Sequence, residues 1–148
     1  MPNKDEIKRI ETKMEVQTYL DRLKYAILLN STRINVVKKR QVDQKRKKIF
    51  TNRYTLGFLF PNEDEIDAIR RELSILRVED YIETVKDTRF TNRSEMRVFG
   101  KELLGKDVYI KIRVELLNFF QAQGNSSILV MSFHFSDHKF KQSDFPYK

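Results

Sequence analysis

The chain of 148 residues contains no cysteine. Disulfide bonds, thiolate metal sites and a cysteine nucleophile are therefore excluded, and this composition fits the reducing environment of the cytoplasm. No run of apolar residues approaches 18, so we expect no membrane-spanning segment, and the polar N-terminus lacks the apolar stretch of a signal peptide. With only four glycines, the sequence has no glycine-rich loop of the kind that cradles phosphates.

Length and apolar content predict one folded domain. A chain of 148 residues with 40% hydrophobic residues is long enough to bury a core. We expect a single domain over residues 1–148. Within it, residues 1–50 form a basic helical and extended N-terminal part, and residues 51–140 form an antiparallel sheet core with one helix.

The net charge of +8 is concentrated in the N-terminal third. Residues 1–50 carry 14 Lys and Arg against 6 Asp and Glu, whereas the remainder is balanced. The densest part is KKRQVDQKRKK at residues 38–48, which we call the basic segment; its cations are Lys38, Lys39, Arg40, Lys45, Arg46, Lys47 and Lys48. Such a run favours polyanions through counterion release, so it predicts a nucleic-acid partner first and an acidic protein second. The alternative is a solvated segment without a dedicated partner.

Apolar spacing predicts two helices. Residues 5–29 repeat apolar side chains at helical intervals, and NEDEIDAIRRELSIL has Asn62 as N-cap with Glu65 as its capping-box partner. RYTLGFLF at residues 53–60 is rich in β-forming residues and predicts a strand, as do Ile34 and Val36 ahead of a basic loop or hairpin. Residues 78–91 are expected to be irregular, anchored by Tyr81 and Phe90.

Three further strands are predicted at residues 95–101, 107–115 and 127–135. Gly105 and Lys106 mark a hairpin turn between the first two, and residues 118–126, with Gln121, Gly124 and Asn125, mark the next turn. The fold class is therefore α+β: an N-terminal helix and a second helix packed on a twisted antiparallel sheet, whose other face is open to solvent.

Strand alternation assigns these side chains to two faces. The inward residues are expected to be Met96, Val98, Val108, Ile110, Ile112, Val114, Leu129, Met131, Phe133 and Phe135. The opposite face then collects Arg97, Lys101, Tyr109, Lys111, Arg113, Ser132 and His134.

This polar set has the chemistry to cleave RNA without a metal ion or cofactor. The RNA 2′-OH is the nucleophile, and His134 is an acid or base that titrates near neutrality. Tyr109 donates a hydrogen bond or stacks on a base, while the predicted phosphate ligands are Arg97, Lys101, Lys111 and Arg113. The alternative is that these cations protect the sheet and that His134 is a structural hydrogen-bonding group. A metal site formed by His134 and His138 is a weaker alternative.

Four motifs resemble one protein family: VEDY at residues 78–81, MRVFGK at 96–101, GKDVYIKI at 105–112 and ILVMSFHFSDH at 128–138. Residues 54–138 thereby resemble the MqsR-like toxins of bacterial type II toxin–antitoxin systems, relatives of the RelE-type ribonuclease fold. The resemblance implies a RelE-like fold and a metal-independent mRNA interferase. It also implies a cognate antitoxin partner, of the zinc-ribbon or helix-turn-helix type.

The resemblance also implies roles for single residues. The family's tyrosine in the penultimate strand corresponds to Tyr109, and the lysine that follows corresponds to Lys111. His134 stands where the best-known members have a lysine, Ile82 stands where they have another, and their glutamine near Met96 is missing. The predicted function is a cytoplasmic endoribonuclease toxin with His134 and Tyr109 as catalytic residues. The alternative is a non-enzymatic nucleic-acid- or protein-binding module that uses the basic segment.

Overall fold

The computed structural model describes residues 5–29, 31–90, 92–116 and 126–148. These residues form a six-stranded sheet with three α-helices packed on it, which confirms the α+β class. The strands are β1 (Glu6–Arg9), β2 (Arg33–Val36), β3 (Tyr81–Asp87), β4 (Met96–Leu103), β5 (Lys106–Leu116) and β6 (Ser126–Phe135). The helices are α1 (Lys13–Leu28), α2 (Asn52–Leu59) and α3 (Glu65–Ser74). None of these helices has the length and apolar character needed to cross a membrane.

The sheet is mixed and open, with strand order β1-β3-β4-β5-β6-β2. All neighbouring strands are antiparallel except β2 and β6, which are parallel. The predicted strands β4, β5 and β6 are confirmed. The β4–β5 turn consists of Leu104 and Gly105, both with positive φ (52° and 75°), as a tight two-residue hairpin turn requires. The turn predicted at residues 118–126, with Gln121, Gly124 and Asn125, falls almost wholly outside the described residues.

The N-terminal helix is shorter than the sequence predicts. Glu6–Arg9 is instead the edge strand β1, paired with β3. Helix α1 starts after Thr12, whose hydroxyl accepts the N–H of Glu15 while the Glu15 carboxylate accepts the N–H of Thr12. The helical spacing was misleading because Ile7 and Ile10 are 60% and 55% exposed and belong to no buried helix face.

Residues 53–60, predicted as a strand, lie almost entirely in helix α2. The hydroxyl of Thr51 caps this helix by accepting the N–H of Tyr54. Tertiary contacts override the β propensity of the segment, because Leu56 enters the core and Thr55 binds the backbone of β6. The next helix, α3, is confirmed, but its N-cap is Asp64 rather than Asn62.

Residues 78–91, predicted to be irregular, contain strand β3. The sequence did not indicate this strand because several of its side chains are polar. In the structure, two of these polar side chains belong to a buried hydrogen-bond network. The hydroxyl of Thr84 donates to Glu11 at 2.5 Å, and the hydroxyl of Tyr81 accepts the N–H of Glu11 at 3.0 Å. Tyr81 is fully buried, as expected of an anchor, whereas Phe90 is 42% exposed.

The hydrophobic core lies between the sheet and the helices. Its helical members include Leu20, Leu23, Ile69 and Leu73, and its sheet members include Phe99, Val108, Ile110, Ile112, Ile128, Val130 and Phe133. The C-terminal tail packs against β4, where the rings of Phe140 and Phe145 approach Gly100. Gly100 makes this possible, since a Cβ at that position would lie 2.7 Å from the ring of Phe140.

A bulge in β6 changes which side chains face the core. Ser132 pairs with Lys111, whereas Val130 pairs with Ile112, so Met131 is an extra residue in the strand. On the N-terminal side of the bulge, each side chain of β6 therefore points to the face opposite the predicted one. The residues predicted to face the core are wrong in that half. The core residues in that half are Ile128 and Val130, not Leu129 and Met131.

Strand β4 faces the opposite way from the prediction. Phe99 pairs with Ile110, and antiparallel partners share a face, so Phe99 joins the core with Arg97 and Lys101 on its side of the sheet. Met96 and Val98 lie on the other face, where they are also buried. Alternation failed here because a central strand with two buried faces carries apolar residues on both.

Candidate functional site

The sheet face opposite the helices carries a cleft of about 400 Å³. We call it the polar cleft. Strands β5 and β6 supply Tyr109, Lys111, Ser132 and His134, the edge strand β1 supplies Glu6 and Lys8, and the basic segment supplies Arg40 and Arg46. The predicted gathering of the sheet residues Tyr109, Lys111, Ser132 and His134 is confirmed. The basic segment, which the sequence suggested as a separate surface, lies against the same cleft.

Tyr109 and His134 are direct cross-strand partners. Their rings lie 5.4 Å apart between centroids and are inclined by 23°. The Nδ1 atom of His134 is 3.0 Å from the carbonyl oxygen of Phe135. Because a carbonyl only accepts hydrogen bonds, Nδ1 carries the proton of the neutral ring, and Nε2 keeps a free lone pair.

Burial keeps both aromatic groups uncharged. His134 is only 8% exposed, and its burial lowers the imidazole pKa to about 4, although the Phe135 carbonyl opposes the shift. The nearby guanidinium groups of Arg46 and Arg40 lower the His134 pKa further. Burial raises the pKa of the Tyr109 hydroxyl. At neutral pH the cleft therefore offers an unprotonated imidazole nitrogen beside a phenol that donates a hydrogen bond.

Lys111 is buried in the cleft wall and paired with Glu6. Its Nζ lies 2.8 Å from Glu6 Oε1, and the side chains are 10% and 14% exposed. The sequence did not identify Glu6, because it fell in a predicted helix and only the pairing of β1 with β3 brings it to this face. The pair fixes the Lys111 ammonium at the cleft instead of leaving it mobile in solvent.

Arg40 and Arg46 fold over the sheet from the basic segment. Arg40 Nη1 donates to the hydroxyl of Ser132 at 3.1 Å, and burial lowers the Arg40 pKa without removing its charge. Arg46 Nη1 lies 3.8 Å from Asp43 Oδ1, and neither of these buried atoms has a hydrogen-bond partner among the described residues. Arg46 is therefore a partly buried cation that lines the cleft and whose Nη1 is not held by a hydrogen bond from any described residue.

The lysines of the basic segment point into solvent. Lys38 pairs with Glu65 at 2.6 Å. No acidic partner within 4.0 Å appears among the described residues for the others, which are Lys39, Lys45, Lys47 and Lys48. These exposed cations extend the positive surface outward from the cleft.

Three predicted phosphate ligands lie elsewhere. Arg97 is on the helix side of the sheet, where its Nε donates to Glu11 at 2.8 Å and its guanidinium lies 4.4 Å above the ring of Tyr19. Lys101 is on that side too, with its Nζ 3.5 Å from an Asp80 carboxylate oxygen. Arg113 shares the face of Lys111, but it donates to a backbone carbonyl, that of Ser94, outside the cleft. The predicted face is therefore wrong for Arg97 and Lys101, whereas Arg113 lies on the predicted face but outside the cleft.

A second imidazole also lines the polar cleft. His138 Nδ1 lies 2.8 Å from Asp137 Oδ1, and this hydrogen bond lowers the Asp137 pKa. The sequence singled out His138 only as a metal ligand. In the described part of the chain, no three His, Asp or Glu side chains are grouped to hold a metal ion.

No protein-family model matches the chain, and no curated protein and no solved structure matches it either. The resemblance to the MqsR-like toxins stays a prediction.

Proposed function

We propose that this protein is a metal-independent endoribonuclease that binds RNA in the polar cleft. The observation that carries the proposal is the neutral His134 imidazole beside Tyr109, in a cleft that Arg40 and Arg46 of the basic segment help to line. With the resemblance stated above, this suggests the toxin of a type II toxin–antitoxin pair. Such a toxin acts on mRNA in the cytoplasm and is neutralised by a zinc-ribbon or helix-turn-helix antitoxin.

The cleavage reaction follows from the positions of the neutral groups. Nε2 of His134 accepts the proton of a ribose 2′-OH, whose oxygen attacks the adjacent phosphorus. The bond to the 5′-oxygen breaks as the new bond forms, which leaves a 2′,3′-cyclic phosphate. The departing 5′-oxygen takes a proton from water, and His134 returns its own proton to solvent. DNA lacks the 2′-OH and is not a substrate.

The cations stabilise the charge that develops on phosphorus. Arg40, Arg46 and Lys111 provide N–H donors toward the cleft, and the protonated Tyr109 hydroxyl provides another. A bound phosphodiester also changes the pKa of the general base, His134. Its negative charge beside His134 opposes the effect of burial and raises the imidazole pKa toward neutrality, so the base becomes stronger when RNA is bound.

The test is cleavage of single-stranded RNA in the presence of EDTA. We expect the wild-type protein to cleave RNA and to leave its 2′-O-methyl counterpart intact. His134→Gln should slow cleavage by roughly 100-fold or more, since general-base catalysis is worth about that factor. Cleavage that EDTA abolishes, or that the 2′-O-methyl RNA and His134→Gln leave unchanged, would overturn the proposal.

A non-enzymatic RNA-binding module is the second candidate. The exposed lysines of the basic segment favour it, because they offer phosphate contacts that need no reacting group. Tight, salt-sensitive binding of RNA without any cleavage would select this candidate over the enzyme.

A further inference from the structure

A second pocket, of about 350 Å³, opens beside the polar cleft. We call it the aromatic pocket, because its walls include Phe50, Tyr54, Phe58 and Phe135. The two cavities are adjacent and share part of their walls: the residues that line both are Phe50, Phe135, Ser136, Asp137 and His138.

Two apolar side chains of this pocket are open to solvent. Phe58 is 46% exposed, and Ile49 beside it is 44% exposed. The ring of Phe58 meets that of Phe135 edge-on at 5.5 Å, and it lies parallel to that of Tyr54 at 6.2 Å, inclined by only 20°. The exposed part of the Phe58 ring is an aromatic surface that another planar ring can contact by stacking or edge-on.

Polar groups stand at the rim of the same pocket. Lys106 places its ammonium 5.7 Å from the ring centre of Phe58, so a hydrogen-bond donor is close to the aromatic surface. The carboxylates of Asp107 and Asp137 provide acceptors. An alkyl chain would use none of these groups, whereas a nucleobase uses both its flat face and the donors and acceptors on its edge.

We propose that the aromatic pocket binds the nucleobase adjacent to the phosphate in the polar cleft. The proposal rests on the proposed function in one respect, that the polar cleft binds RNA. Stacking platforms next to a cationic groove are the usual means of holding single-stranded nucleic acid. Here the shared wall through Phe135 and His138 lets one nucleotide place its phosphate and its base in adjoining cavities.

The test uses two RNA oligonucleotides of equal length, each 2′-O-methylated throughout so that it binds without reacting. One carries all its bases, and the other is abasic at every position. We expect the wild-type protein to bind the complete RNA roughly 10-fold more tightly. Phe58→Ala should remove most of that difference while leaving the affinity for the abasic RNA unchanged. Tyr25→Ala, which removes an exposed aromatic ring from α1, is the matched control and should change neither affinity.

The possible outcomes test the aromatic-pocket proposal and the ribonuclease proposal separately. Equal affinity for the two RNAs, or a Phe58→Ala variant that keeps the preference for bases, overturns the aromatic pocket even if unmodified RNA is cleaved. A preference lost in Phe58→Ala supports the pocket even if no cleavage occurs and the ribonuclease proposal fails. Failure to bind either RNA overturns both proposals. A protein partner would then be the alternative ligand of the exposed rings.

Discussion

His134 is the central residue of the proposed reaction, and its environment differs from what the sequence suggested. The sequence indicated a histidine titrating near neutrality, able to act as acid or base. In the structure, burial and two neighbouring guanidinium groups lower the His134 pKa to about 4, so the unliganded ring is a base only. The role that we propose for His134, that of a base, is therefore narrower than the predicted role of acid or base.

The buried imidazole should make the protein sensitive to acid. An exposed histidine in the unfolded chain titrates near pH 6.5, whereas His134 in the folded protein titrates near pH 4. Between these values the unfolded state binds the extra proton, so the free energy of unfolding should fall as the pH is lowered through this window and stay flat above it. The expected loss from His134 between pH 7.5 and pH 5 is about 2 kcal/mol.

Urea unfolding of wild-type protein and His134→Gln at pH 7.5, 6 and 5 measures this effect. The variant cannot gain the proton, so its stability relative to wild type should rise as the pH falls. A constant difference between the two proteins across the three pH values would show that the pKa of His134 is not lowered by burial.

At the scale of elements, the short helix α2 has two structural roles. Strand β2 stops pairing with β6 near the bulge, and α2 covers the edge of β6 beyond that point. Asn52 donates to the carbonyls of Val37 and Met131 and accepts the N–H of Phe133, at 2.6–2.9 Å. The same helix carries the aromatic residues that stack beside Phe135. One short helix therefore closes a sheet edge and builds the wall of the aromatic pocket.

Replacing Asn52 should destabilise the fold. The side chain is 1% exposed, and Asn52→Ala would leave three backbone groups at the bulge without their partner. We expect a loss of at least about 3 kcal/mol, since each of the three buried polar groups left unpaired costs roughly 1–3 kcal/mol.

Asn62→Ala is the matched control for that measurement. Asn62 was predicted to cap α3, but Asp64 is the cap, so this substitution should change the free energy of unfolding by less than about 0.5 kcal/mol. Urea unfolding of both variants compares them directly. Equal losses would contradict the assigned roles of Asn52 and Asp64 together.

Strands whose side chains alternate clearly were predictable, and elements held by distant partners were not. The existence of β4, β5 and β6 follows from their strand-like residues, although the facing of β4 and of the N-terminal half of β6 does not. The strand pattern of residues 53–60 was misleading, because contacts with β6 decide that segment in favour of a helix. In the candidate site, Tyr109, Lys111 and His134 share one strand pair and could be placed from sequence. Glu6 and Arg40 reach the cleft only through long-range packing, which local pattern does not encode.

Across the whole molecule, the excess positive charge and the polar sheet face form one surface. The basic segment lies far from β5 and β6 in the sequence, yet Arg40 donates a hydrogen bond to Ser132 on the floor of the cleft. Two cations that the sequence assigned to phosphate, Arg97 and Lys101, are engaged with acids on the other face. Arg40 and Arg46 take their place as the candidate phosphate ligands.

The most direct test of this single surface is the rate of RNA cleavage at low substrate concentration, measured as kcat/KM. The double variant Arg40→Gln/Arg46→Gln is compared with Lys13→Gln/Arg22→Gln, which removes the same charge from exposed positions on α1. We predict that the first loses roughly 100-fold or more in kcat/KM with a weaker salt dependence, while the second changes about twofold or less. Equal effects of the two double variants would contradict a joint active surface of the basic segment and the sheet.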